Sequence, residues 1–224
     1  MKKLIIVLFP FLVVSLSVYC QKIILDESNL VPHKVYIQII DLKGEKVVRV
    51  VKDTTVKEAD EPTFVKIKNS NFKNGCIEVE VLSRLLPSAS PTDRGFIGLA
   101  FRINDGKSKF ESIYIRPTNG RAEDQVRRNH SIQYFSYPDF KYERLRKEYP
   151  GKYESYADMG LDEWTSLKIE VIGSQAKLFL NSNKYPSLIV NDLKQGPDAT
   201  GDVGLFVDVG TEGYFRNLKI THPK

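Results

Sequence analysis

Residues that staple or metallate a fold are scarce here: 224 positions hold two cysteines, three histidines and one tryptophan. Two cysteines build no disulfide framework, so an apolar core must hold the domain. His33, His130 and His222 are far apart and form no zinc signature with so little cysteine. A formal charge of +5, with no concentrated basic stripe, argues against nucleic acid or an anionic membrane as partner. There is no glycine-rich phosphate loop, nucleotide fingerprint or nucleophile elbow. Nor is there a repeat or a low-complexity segment, and 42% hydrophobic with 27% charged residues describes an ordinary globular chain rather than a disordered one.

Long apolar runs are also missing, save one at the start. Lys2 and Lys3 precede an apolar stretch over residues 4–14 that only Pro10 interrupts, the basic and hydrophobic regions of a secretory signal. The run is too short to span a bilayer. Val18 and Cys20 occupy the small-residue positions before a cut, so residues 1–20 are expected to leave as a signal peptide, with Gln21 first in the mature chain. The rival is a lipid on Cys20, which calls for a small preceding residue where Tyr19 is bulky. The expected location is secreted or periplasmic, with no integral membrane segment after cleavage and Cys76 as the one remaining thiol.

Residues 21–224 form a series of short alternating runs between turn residues, the pattern of a single antiparallel β-sandwich. Strands are predicted at 34–41, 46–51, 63–66, 76–82, 95–103, 110–116, 131–135, 164–172, 175–180, 187–190, 202–208 and 214–220. Turns such as Asn74-Gly75, Asn104-Asp105-Gly106 and Gly173-Ser174 supply the positive φ angles of tight hairpins. Alternation assigns the faces: Ile77, Val79 and Val81 inward against Glu78 and Glu80 outward, and Leu167, Ile169 and Val171 inward against Lys168 and Glu170. The run 95–103 is apolar on both faces and reads as a central strand. One short helix is expected around 138–149, capped by Ser136 with Asp139 in a capping box and stopped by Pro150-Gly151. It lies in a long excursion, 117–161, of the kind that carries function.

Three stretches resemble a known family. NFKNGCIEVEVLSR (71–84), DEWTSLKIEVIGSQAKLFLNSNKYPSLIV (162–190) and GDVGLFVDVGTEGYFRNLKI (201–220) are similar to the concanavalin A-like lectin/glucanase and laminin-G-like jelly rolls. The last is also similar to bacterial 3-keto-disaccharide hydrolase-type domains. The resemblance implies an all-β jelly roll that handles carbohydrate as a lectin-like module, or alternatively as a glycoside hydrolase. An interaction module without a small ligand is a third reading, since this fold hosts all three. The resemblance also allows a structural calcium, for which Asp26, Asp53, Asp60 and Asp208 are candidates. No other cofactor is expected.

Glu78 and Glu80 are the one carboxylate pair suited to glycoside cleavage, roughly 6.5–7 Å apart at their Cα atoms. Glucanases of this fold carry a further acid two residues on, where Leu82 stands here. The richest polar cluster lies in the excursion. Arg116, Asn119, Arg121, Arg128, Asn129, Gln133 and Tyr134 combine guanidinium forks, planar amides and a ring, a set that can hold sugar hydroxyls, carboxylates or sulfates. Arg116 and Gln133 lead because they flank strands. The expected partner is therefore carbohydrate, including acidic or sulfated forms. The alternative is a brace, in which Arg116, Arg121, Arg127 and Arg128 pair with Glu111, Glu123 and Asp124. His130 is a candidate base whose orienting acid the sequence does not identify. Trp164 opens a strand and is expected to anchor the core.

Overall fold

The computed structural model describes residues 19–223; the expected signal falls almost wholly on residues 1–18, outside them. In chain order the strands are β1 Tyr19–Lys22, β2 Leu30–His33, β3 Val35–Leu42, β4 Glu45–Lys52, β5 Phe64–Phe72, β6 Gly75–Leu85, β7 Ile97–Ile103 and β8 Phe110–Ile115. After a 3-10 turn at Pro117–Asn119 come α1 Gln125–Asn129, β9 Ile132–Tyr137, α2 Tyr142–Glu148 and β10 Glu154–Ser155. β11 Thr165–Ile172, β12 Gln175–Leu180, β13 Leu188–Val190, β14 Gly201–Val207 and β15 Thr211–His222 complete the chain.

Two antiparallel sheets form the sandwich. The first runs β13-β12-β11-β6-β15-β4-β3, with β1 also on β15, and the second runs β10-β9-β8-β7-β14-β5-β2. Neighbours such as β6 with β15 and β7 with β14 are distant in sequence, the crossovers of a jelly roll. Between the sheets lies the core. Ile77, Val79 and Val81 of β6 and Leu167, Ile169 and Val171 of β11 are at most 2% exposed. From the other side come Leu99, Ile113, Ile115, Val203 and Leu205, also buried. Outward alternation leaves Glu78 and Glu80 half-buried on the wet face of the first sheet.

The second sheet differs, for β7 and β8 are buried at every residue. Register places Phe206, Gly98, Tyr114 and Gln133 in one row across β14, β7, β8 and β9, with Ala100, Ser112 and Phe135 in the next. On this outward face the rings interlock. Phe110 meets Phe135 at 5.5 Å, and Tyr114 meets Phe206 at 5.5 Å and Phe135 at 5.8 Å. Aromatic pairs at such distances add to the burial itself. A Cβ on Gly98 would stand 2.3 Å from the Ile113 carbonyl oxygen and 2.8 Å from Tyr114 Cβ, so only glycine lets β7 and β8 close up here.

Three expectations are corrected. The helix begins at Tyr142, not near Pro138: Ser136 belongs to β9, and Lys141 at the N-cap makes no side-chain cap bond. Instead the carboxylate of Asp60 accepts the Tyr142 amide at 2.7 Å, a cap supplied from 82 residues away. A second helix, α1, starts where Asp124 accepts the Arg127 amide at 2.7 Å. Trp164 is no core anchor. It sits half-buried on the outer face of the first sheet, beside Leu82 and Tyr214, with the Arg216 guanidinium 4.0 Å from its ring centre.

These faces yield a direct test. Val79→Asp places an unpaired charge in the core and should cost several kcal/mol, whereas Glu80→Gln should cost under about 1 kcal/mol. Urea unfolding of the two variants measures the difference; equal losses would reverse the face assignment of β6.

Candidate functional site

A cleft of about 840 Å³ opens on the second sheet, between the loop that enters β7 and the helices α1 and α2. Tyr114 and Arg116, at the end of β8, are buried at its floor. Four guanidinium groups line it: Arg94, Arg116, Arg127 and Arg146.

Arg116 is held on all sides. It donates to the His130 carbonyl at 3.0 Å, Glu154 at 3.1 Å, the Tyr114 hydroxyl at 2.9 Å and Gln133 at 3.2 Å. Its guanidinium carbon lies 5.1 Å from the Tyr114 ring centre and 5.8 Å from those of Phe96 and Tyr142. Glu154 is the hub beneath. Two-residue β10 pairs it with Gln133 of β9, and it also accepts from Arg146. Burial alone would raise its pKa, but the Arg146 hydrogen bonds and the charges of Arg116, Arg146 and His130 outweigh this and hold it below the usual carboxylate range.

Glu154 is also the acid that His130 lacked in the sequence. Nδ1 of His130 is buried 2.8 Å from Glu154 Oε2, close enough to bond but not aligned for it. The ring lines the cleft. Among the described residues Nε2 has no partner. Burial lowers the histidine's pKa, Glu154 opposes this, and Arg146 and Arg116 lower it again, so the neutral ring prevails at pH 7.

Arg94 and Arg127 are placed differently. Arg94 donates only to the carbonyls of Pro91 and Asp93, and Arg127 to Asn119 and Thr118. Among the described residues neither has a carboxylate partner. Burial first, and then the charges of Arg127 and Arg116 against that of Asp93, lower the pKa of Arg94.

No protein-family profile and no curated protein matches the sequence. Solved structures do match in shape. A Bacillus subtilis protein of unknown function with a galectin-like fold aligns with a TM-score of 0.52 at 12% identity, over 84% of this chain and 87% of its own. Carbohydrate-binding module CBM66 from Bacillus subtilis aligns with a TM-score of 0.50 at 14% identity, over 84% of this chain and 96% of its own. The chain has the concanavalin A-like fold.

Within the concanavalin A-like sandwich the residues singled out by sequence separate into distinct places. Arg116, Asn119 and His130 meet at the cleft, and Gln133 stands behind Arg116, fully buried. Arg121 is exposed and bridges Asp158 and Glu163. Arg128 lies over the Tyr156 ring at 5.0 Å and bonds its hydroxyl. Asn129 accepts from Gln125 on exposed α1. Tyr134 points away from the cleft into the space between the sheets, where it bonds Glu111. The acids of the brace also differ from those expected. Glu154, Asp158 and Glu163 take the arginines, while Glu111 accepts from Tyr134 and the Gln195 amide and Asp124 caps α1.

Glu78 and Glu80 occupy a separate groove of about 660 Å³ on the outer face of the first sheet. Glu80 is tied to Arg216 at 2.7 Å and Asn217 at 3.0 Å. Of the four acids considered for calcium, Asp26 binds Ser28, Asp53 binds Thr55, and Asp208 forms a buried pair with Lys52 at 2.6 Å. Asp60 is buried beside Asp208. Among the described residues no group of three or more such side chains is arranged to hold a metal.

Sequence reasoning did not find Glu154, Arg146 or Arg94 as site residues. Period-two alternation did contain one usable signal: adjacent Gln133 and Tyr134 must face opposite ways.

Two predictions rest on this geometry. Arg116→Ala leaves Glu154 buried beside fewer cations and should cost about 3–5 kcal/mol, whereas Arg121→Ala, exposed, should melt like wild type; the reverse order would overturn the brace. Burial and then the charge of Asp208 push Asp60 up from 3.8 to about 7. Between these values the folded chain keeps a proton that the unfolded chain has lost, so stability falls as pH rises through the window. Thermal melts from pH 4 to 7 should show this fall in wild type and a flatter profile in Asp60→Asn.

Proposed function

We propose that this is an exported carbohydrate-binding protein whose ligand site is the arginine-lined cleft, with preference for glycans bearing carboxylate or sulfate groups. The observation that carries the reading is the pair Arg94 and Arg127, guanidinium groups without carboxylate partners among the described residues, in a cleft that already holds Arg116 and Arg146. Guanidinium forks recognise planar anions through paired charge-assisted hydrogen bonds. Phe96 and Tyr142, half-buried at the same cleft, offer ring faces beside them. The cleft's size suits a small ligand or a short stretch of a polymer. A likeness in fold to a carbohydrate-binding module is compatible with this reading. No helix among the described residues is long and apolar enough to cross a membrane, and removal of residues 1–20 on export is part of the proposal.

The glycosidase reading has less behind it. Glu80 is engaged by Arg216, and the groove that holds Glu78 and Glu80 also presents Lys168 and Lys219.

A glycan array followed by calorimetry tests the proposal. Wild type should bind uronate-containing or sulfated oligosaccharides, more weakly as salt is raised. Arg94→Ala and Arg127→Ala should each weaken this about 10-fold or more while melting close to wild type. Failure of wild type to bind any glycan would overturn the assignment.

A further inference from the structure

We infer that the cleft also carries a reaction: His130 is the general base of a β-elimination at a uronic acid residue, with Glu154 as its positioning residue and the cleft arginines holding the uronate carboxylate. This rests on the carbohydrate reading above and goes beyond it, from binding to chemistry.

The carboxylates at the cleft are all engaged elsewhere: Asp93 accepts the Ser90 amide at 2.7 Å, Asp124 caps α1, and Glu154 lies beneath Arg116 and Arg146. Hydrolysis by two carboxylates needs one acid to protonate the leaving oxygen and another to act on the opposite face of the sugar. That pair is missing here. What the cleft does present is an imidazole whose Nδ1 is buried 2.8 Å from a Glu154 oxygen, with no aligned hydrogen bond, and whose Nε2 has no partner among the described residues. A third group orienting a base in this way is the recurrent arrangement for proton abstraction. The charged groups around the ring come from three elements: Glu154 of β10, Arg146 of α2, and Arg116 beyond β8. Their balance with burial keeps the ring neutral near pH 7, the state a base requires.

A uronate supplies the matching substrate. The hydrogen on the carbon next to its carboxylate is weakly acidic, and guanidinium groups around that carboxylate stabilise the negative charge that develops when it leaves. Nε2 takes this proton, and the carbon–hydrogen electron pair forms a double bond conjugated with the carboxylate. The bond from the β carbon to the glycosidic oxygen breaks. The leaving oxygen then receives the proton back from the imidazolium. No water, oxidant or metal is consumed, and the products are one new non-reducing end bearing the double bond and one saturated reducing end.

The test uses the full exported chain with oligogalacturonate, oligoglucuronate and alginate oligomers, reading the ultraviolet absorbance of the unsaturated uronate. Wild type should generate the product on at least one of these. His130→Ala should reduce the rate at least about 100-fold, far more than it weakens binding of the same oligomer. Glu154→Gln should lower kcat more than KM and move the acidic limb of the pH profile to lower pH, because the carboxylate that raises the histidine's pKa is gone. Where Glu154→Gln fails to fold, His130→Gln provides the same reading of the base from a side chain at the cleft surface. Binding without unsaturated product would overturn the elimination and leave carbohydrate recognition standing. Product undiminished in His130→Ala would overturn the base assignment. Absence of binding to all three oligomers would overturn the uronate elimination, while carbohydrate recognition is decided by the glycan array.

Discussion

The buried carboxylate of Glu154 is the fixed point on which the cleft side of the molecule depends. One side chain accepts from Arg116 and Arg146 and stands 2.8 Å from His130. These belong to the end of β8, to α2 and to the residue that closes α1, so a single charge fastens three separate pieces of the excursion to the second sheet. Removal of two or more ions from water is costly unless each finds partners. Here two guanidinium groups flank one carboxylate, and the remaining donors of Arg116 reach Tyr114, Gln133 and a backbone carbonyl. A network satisfied in this way is rigid, and rigidity is what a recognition site needs if ordering its long side chains is not to consume the binding energy.

The two sheets put their outward faces to opposite uses. On the first, acids and lysines alternate with core residues and meet water, and the one tryptophan lies beneath the Arg216 guanidinium rather than in the interior. On the second, aromatic rings cover the outward face and make a second apolar layer under the excursion. That layer explains how so polar an excursion is held close to the sheet. Leu145 of α2 is buried on the excursion's inner side, and Arg116, Arg127 and Arg146 line the cleft. Asp60 joins the same construction from the opposite side, capping α2 while buried next to Asp208 and Lys52.

Much of the architecture was legible in the chain. Strand alternation located nearly every strand, and it placed Ile77, Val79 and Val81 inside correctly, because the direction of a side chain on a strand is set by its own backbone. The double burial of 97–103 was visible for the same reason. Short elements escaped: β1, β2, β10 and α1 have too few residues for a period to show. The start of α2 was misplaced because its cap is a tertiary contact, and a local Ser136 with Asp139 imitates a capping box that the folded chain does not use.

For the site the division is sharper. Sequence alone marked 116–134 as unusually rich in guanidinium, amide and histidine groups, and the structure gathers Arg116, Asn119 and His130 from it. It could not say that Arg116 and Gln133 are buried supports, that Arg94 and Arg127 are left without carboxylates, or that Glu154 faces His130. Alternation is local and survives in the sequence as a period, whereas the partner of a charge is fixed by which strands become neighbours. Arg116 and Glu154 are 38 residues apart, joined because β10 pairs with β9 and β9 with β8. The sequence determined a sandwich and which side chains line its core; only the packed sheets decided which polar groups meet, and hence where the cleft is and what it presents.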